Sequence, residues 1–180
     1  DNPHQWYSPP SVQAVIAQIT ADYKRADPSH ASYFEAARRS FEAKGLASYR
    51  RLISQIRSRY AGTPVGASES IFEPLAPVLG LKLITPPGFM DAVSEGAEPA
   101  PADRSAAERQ IAGRRVAVWI YNPQNATPDV QRLNDAAEAA GTPIATVTET
   151  LTPEGSSFQA WMTRELKGLR EALARGAGVG

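Results

Sequence analysis

The chain has 180 residues, and its 19 basic and 19 acidic side chains give it no formal net charge. This balance argues against a nucleic acid or another polyanion as a partner. The length and the 42% hydrophobic content are those of one globular domain with a sizeable core. No apolar run approaches the roughly 18 residues that a membrane-spanning helix needs.

The chain contains no cysteine, which excludes thiolate metal sites, disulfides and cysteine nucleophiles. It has two histidines, His4 and His30, so a histidine-rich zinc cage cannot be built within it.

The chain opens on the motif Asn2-Pro3-His4-Gln5-Trp6-Tyr7 and continues into helical segments. Prolines and serines after the motif favour a helix start, and apolar residues recur at helical spacing as far as Asp27-Pro28. Ser29 can cap a second helical stretch that reaches about Tyr60, with a kink expected at Gly45. A helix of that length suits a backbone between two lobes.

After Gly62, short strands alternate with helices. The predicted strands are 64–67, 81–85, 115–121 and 143–147. The predicted helices are 71–79, 89–93, one capped by Asp103 or Ser105 that runs to Ile111, 128–140, and one capped by Ser156 or Ser157 that runs through Leu173. This alternation predicts an α/β fold, with a four-stranded parallel sheet flanked by helices.

Ligands of parallel sheets bind beyond the carboxyl ends of the strands. That rule selects Ser68-Glu69-Ser70, residues 121–124 and Thr148-Glu149-Thr150. Together with His4, the carboxylates of Glu69 and Glu149 would form a mixed nitrogen and oxygen set suited to Mn²⁺, Zn²⁺ or Fe²⁺.

Structural roles remain open for the same residues. Glu69 could stabilise a helix N-terminus through the helix dipole, Glu149 could be a solvated turn residue, and an isolated histidine is often a surface residue. Asn122 could support a ligand or simply form a turn. Ser68 and Thr148 adjoin the two glutamates and are predicted to support them.

The opening motif resembles the D-P-H-x-W-L-D-P signature of the cluster A-I solute-binding proteins, which serve bacterial zinc and manganese ABC importers. Further similarities lie in Asp27-Pro28, in Glu98-Pro99-Ala100-Pro101, and in the closing helix around 157–162. The chain departs from the family pattern at Asn2, Tyr7 and Ser8, and at Glu149, where the family usually has Asp. Tyr121 and Asn122 also stand where the family commonly has an acidic residue after the third strand.

The resemblance implies one lobe of a two-lobed protein with a helical backbone. Residues 1–9 would end the inter-lobe segment and carry the ligand motif, 10–61 would form the backbone helix region, 62–175 the C-terminal lobe, and 176–180 a frayed tail. His4, Glu69 and Glu149 would be three of four metal ligands, and a histidine of an absent N-terminal lobe the fourth. A glutamate at position 69 is similar to the manganese-binding branch, and His30 would be solvent-exposed.

The function that the resemblance implies is capture of Mn²⁺ or Zn²⁺ for an ABC permease, by a periplasmic or membrane-anchored extracellular lipoprotein. Such a protein performs no turnover chemistry. Three alternatives stay open: a haem or siderophore-type chelate as the ligand, an adhesin-like surface role, and a hydrolase that uses two carboxylates and a histidine. No further acid, base or nucleophile pattern supports the hydrolase.

Overall fold

The computed structural model describes residues 2–178, which form eight α-helices and one four-stranded sheet. The helices are α1 (Pro9–Ala26), α2 (Ala31–Ser40), α3 (Ala47–Tyr60), α4 (Ala76–Leu79), α5 (Pro87–Ser94), α6 (Pro101–Ala112), α7 (Pro128–Ala140) and α8 (Phe158–Gly176). The strands are β1 (Pro64–Ala67), β2 (Lys82–Leu83), β3 (Trp119–Tyr121) and β4 (Ile144–Thr146).

The sheet is entirely parallel, with the strand order β2-β1-β3-β4. The chain moves from β1 to β2 on one side and then returns to place β3 on the other side of β1. A change of direction of this kind opens a crevice beyond the carboxyl ends of the two central strands. The predicted α/β fold with a four-stranded parallel sheet is confirmed.

Three strands are shorter than the sequence predicts, and β4 loses one residue at each end. At the end of β2 the hydroxyl of Thr85 accepts a hydrogen bond from the backbone N–H of Ala67 at 3.0 Å, in the place of a ladder partner. The next residue, Pro86, has no N–H to offer. The segment before β3 begins with a turn at Arg114, which has a left-handed φ of 51°, and its first backbone bond to β1 runs from Ala117 N–H to the Pro64 carbonyl.

Two helix boundaries also differ from the prediction. Helix α6 begins at Pro101 and not at a cap of Asp103 or Ser105, because proline at the first helical position fixes φ in advance. The predicted 71–79 helix is a 3-10 turn, Ser70–Phe72, followed by the short α4. At the C-terminus, α8 continues to Gly176, and residues 179 and 180 of the predicted frayed tail lie outside the described residues.

The predicted long helix is divided in two segments. A π-helical turn, Phe41–Gly45, separates α2 from α3 at the glycine where a kink was expected. Helix α3 buries Tyr49, Leu52, Ile56 and Tyr60, and it packs against α8.

Helices α1 and α2 pack mainly on each other, with Tyr23 stacked on Phe34 at a ring separation of 5.3 Å. Of the described residues in these helices, α1 buries Thr20 and α2 buries none. Large apolar side chains on this pair are instead exposed to solvent: Val15, Ile19, Tyr23 and Tyr33.

Candidate metal site

His4 lies in the turn before a short 3-10 helix and is 6% exposed. The side chain of Asn2 donates from Nδ2 to the carbonyl oxygen of Ser70 at 2.7 Å and to Glu73 Oε2 at 2.9 Å. Because both partners are acceptors, the orientation of the Asn2 amide is fixed and its Oδ1 faces His4. That oxygen accepts from the His4 backbone N–H, and it lies 2.9 Å from Nδ1.

This contact determines which imidazole nitrogen is available. Nδ1 must carry a hydrogen to donate to Asn2 Oδ1, so a neutral His4 presents the lone pair of Nε2. An imidazole oriented by a hydrogen bond at its other nitrogen is the usual arrangement for a metal ligand.

Nε2 of His4 lies 3.0 Å from Oε1 of Glu149, which follows β4 and has a side chain 35% exposed. The backbone N–H of Glu149 is held by Gln124 Oε1 at 2.7 Å. A neutral Nε2 and an ionised carboxylate are both acceptors, so a contact this short needs a hydrogen or a metal ion between the two atoms. A proton on the imidazole or a metal ion can meet that requirement.

Glu69 follows β1 at the crevice and is 1% exposed. Its Oε2 accepts from Asn125 Nδ2 at 2.7 Å, whereas its Oε1 is buried without a hydrogen-bond partner. Burial raises the pKa of Glu69, and Asn125 partly offsets that rise. The buried Nδ2 of Asn122 makes no well-aligned hydrogen bond, although Asn122 lies near enough to Glu69 to lower the pKa of its carboxyl.

The structure therefore joins two of the predicted ligands and leaves the third beside them. His4 and Glu149 are in contact, and the charges of both reach Glu69, but the Glu69 carboxylate turns toward Asn125. Within residues 2–178 no three His, Asp or Glu side chains form a group that could hold a metal ion. The unpartnered Oε1 of Glu69 fits a cation, since a buried carboxylate oxygen is costly when it is left unpaired.

The predicted supporting residues Ser68 and Thr148 precede Glu69 and Glu149 in the chain. Ser68 and Thr148 are buried, and the Ser68 hydroxyl accepts from the backbone N–H of Asn122 at 3.3 Å. Asn122 uses its Oδ1 to accept from the Gln124 N–H, which is the turn-forming role. His30 lies apart from the site, exposed and paired with Asp27 Oδ2 at 2.6 Å.

Sequence reasoning missed several residues that shape the site. Asn2 is inside the motif, yet only its contacts reveal that it orients His4. Asn125 lies just beyond the 121–124 segment that the strand-end rule selected. Glu165, which contacts Thr148 from α8, occupies an ordinary helical position, and no local pattern distinguishes it.

The sequence model of the zinc-uptake complex component A family (ZnuA, periplasmic) matches residues 1–172. A search of the curated proteins found no match.

Solved structures share the fold. A Cd-bound and an Mn-bound periplasmic metal-binding protein from Candidatus Liberibacter asiaticus align over 96% of this chain with a TM-score of 0.73, at 17% and 18% identity. A mutant of the laminin-binding adhesin Lmb from Streptococcus agalactiae aligns over 95% with a TM-score of 0.70 and 17% identity. The chain spans 64%, 63% and 62% of these three proteins. From the family match over residues 1–172, the chain belongs to the ZnuA family of periplasmic zinc-uptake components.

Proposed function

We propose that this chain is the C-terminal lobe and backbone of a receptor that captures Mn²⁺ or Zn²⁺ and delivers it to an ABC permease. His4, Glu69 and Glu149 are the proposed ligands. The observation that carries the proposal is the orientation of His4. Its Nδ1 is bound to Asn2 Oδ1, so Nε2 is available to a metal ion, and that nitrogen faces the Glu149 carboxylate at 3.0 Å. The ZnuA family consists of non-enzymatic transport components, so the hydrolase alternative is dropped.

The donor set suits a borderline or oxygen-preferring divalent ion. It offers one imidazole and two carboxylates, in a chain that has no cysteine. The family name refers to zinc, while the two solved neighbours from Candidatus Liberibacter asiaticus hold cadmium and manganese. Glu69 favours manganese, because carboxylate oxygens are the ligands that Mn²⁺ prefers.

We also propose that a preceding lobe completes the site with a further histidine. The chain spans under two thirds of its solved neighbours, so these have room for another lobe. The proposed lobe packs against helix α1, which lines an apolar groove of about 460 Å³. We call this surface the α1 face; it includes Trp6, Val12, Val15, Ile16, Ile19, Phe41 and Phe158.

The proposed location is the periplasm, or the outer surface of a cell through a membrane anchor. In the part of the chain that the structure describes, no helix is long and apolar enough to cross a bilayer. Neither a chelate ligand nor an adhesin role gains support from the site. The likeness to Lmb at 17% identity concerns the fold alone.

Calorimetric titration of Mn²⁺ and Zn²⁺ into the complete protein tests this function. We expect binding that weakens by more than about tenfold in Glu69→Ala and in Glu149→Ala, as is typical when a ligand or its support is lost. His30→Ala and Glu154→Ala are matched controls, since both side chains are exposed and lie outside the proposed set. Unchanged affinity in Glu69→Ala would remove Glu69 from the site, and no binding by the parent would refute the function.

A further inference from the structure

A carboxylate on α8 contacts residues next to the proposed ligands, and the proposed function does not use it. Oε1 of Glu165 accepts from the Thr148 backbone N–H, the Thr148 hydroxyl and the Trp161 indole N–H, each at 2.9 Å. Its Oε2 accepts from the Tyr7 hydroxyl at 2.5 Å. Burial raises the pKa of Glu165, and the same hydrogen bonds from Tyr7, Thr148 and Trp161 oppose that rise.

Tyr7 provides the other half of this contact. Its side chain is fully buried, and its backbone N–H closes the His4 turn by donating to the His4 carbonyl at 3.0 Å. Burial, followed by the charge of Glu165, raises the pKa of the Tyr7 hydroxyl, so it stays protonated and able to donate. Its oxygen also lies 3.1 Å from the backbone N–H of Thr148.

The two segments that Glu165 joins are those that carry the ligands in contact. Tyr7 belongs to the turn of His4, and Thr148 immediately precedes Glu149. Thr148 is held further by its hydroxyl, which lies 2.9 Å from the carbonyl of Thr150 and 2.8 Å from the Trp161 indole nitrogen. One side chain on α8 thus contacts both segments.

We infer that Glu165 is a positioning residue, which fixes the distance between His4 and Glu149 by binding Tyr7 and Thr148 at the same time. This inference rests on the proposed function. Apolar side chains could fill the same volume without the cost of burying a carboxylate. A fully satisfied polar network instead permits one arrangement of the two loops. Pre-setting the ligand separation reduces the ordering that metal binding must impose.

The test is a double-mutant cycle that combines Glu165→Gln with Glu149→Ala in the complete protein. The affinities for Mn²⁺ and Zn²⁺ are measured by calorimetry. Glu165→Gln keeps the volume of the side chain, and Tyr7→Phe removes only the hydroxyl. We expect each to weaken metal binding, Glu165→Gln by about tenfold, in the range known for groups that orient metal ligands. In a Glu149→Ala background, Glu165→Gln should change the metal affinity by less than about twofold, since the second ligand to be positioned is absent.

Two comparisons separate positioning from general stability. Glu171→Gln lies on the exposed side of the same helix and should leave affinity unchanged. Equal losses in the parent and the Glu149→Ala background, or a lowered unfolding midpoint with unchanged affinity, would overturn the inference.

A metal-free measurement decides the case in which the parent binds neither ion and the proposed function fails. The ¹⁵N resonances of the His4 imidazole report its contact with Glu149. Glu149→Ala should shift Nε2 in the parent and have little effect when Glu165→Gln is already present. An undiminished shift in the Glu165→Gln protein would show that Glu165 does not set this contact.

Discussion

Single side chains outside the ligand set determine how His4 is presented. Asn2 binds four groups at once: the His4 backbone N–H, the His4 ring, the Ser70 carbonyl and the Glu73 carboxylate. The motif that the opening resembles has Asp at this position, which could not donate to Glu73. The exchange of Asp for Asn therefore matches the acceptors around it.

We predict that Asn2→Asp destabilises the metal-free protein by about 1–3 kcal/mol, because two acceptors lose their donor and two carboxylates then face each other. Glu73→Gln in the same protein should recover most of the loss, since the new amide can donate to the introduced carboxylate. Urea unfolding of the parent, both single variants and the double variant measures this. Additive effects in the double variant would contradict the proposed pairing.

The sequence predicts part of the site, for physical reasons that differ between residues. His4 lies within a linear motif, and Glu69 and Glu149 follow strands, so local pattern and the strand-end rule are enough to select them. The orienting contacts of Asn125 and Glu165 depend on which loops meet in space, and neither residue has a local signal. Whether the three predicted ligands bind one ion stays a prediction, since Glu69 turns to Asn125 in the structure.

At the scale of elements, periodicity predicts the sequence of helices and strands well and their ends less well. Helix α6 starts at a proline that already has a helical φ, and β2 stops where a threonine hydroxyl replaces a ladder bond. In the sequence, only the glycine indicates the π-helical turn at Phe41–Gly45. Such details are determined by neighbouring elements and not by local propensity.

Two glycines in helical segments provide a matched test of that turn. A Cβ at Gly45 would lie 2.7 Å from Cδ2 of Phe41, whereas a Cβ at Gly168, in the interior of α8, would meet nothing within 4 Å. Gly45→Ala should lower the free energy of unfolding by about 1 kcal/mol or more, because the Phe41 ring packs against the core and must move. Gly168→Ala should raise it by about 0.5–1 kcal/mol. Chemical denaturation of both variants checks these opposite signs.

Among residues 2–178, the α1 face is lined by apolar side chains like those of a protein interior. The α1 face exposes large apolar side chains along a helix that buries little of its own. Exposed apolar patches of this kind mark interaction sites. The face supports the proposal of a second lobe more directly than the length comparison does.

Ile19 gives a test at this scale, because its side chain is 49% exposed here and isoleucine and serine have similar helix propensity. Ile19→Ser should change the stability of the 180-residue chain by less than about 0.5 kcal/mol. In the complete protein the same change should cost about 1 kcal/mol or more, since an apolar contact is lost. Equal effects in the two proteins, measured by thermal unfolding, would show that no lobe covers this face.

The contact between Tyr7 and Glu165 has a consequence for biosynthesis. The two residues are 158 positions apart, and at ribosomal rates of 5–20 residues per second they are made roughly 8–30 s apart. The interval between the synthesis of His4 and that of Glu149 is almost as long, since the two residues are 145 positions apart. Throughout that interval Nε2 of His4 lacks the Glu149 carboxylate that it faces in the folded chain. The turn of His4 and the segment of Glu149 can therefore reach the arrangement of the folded chain only after α8 has been translated.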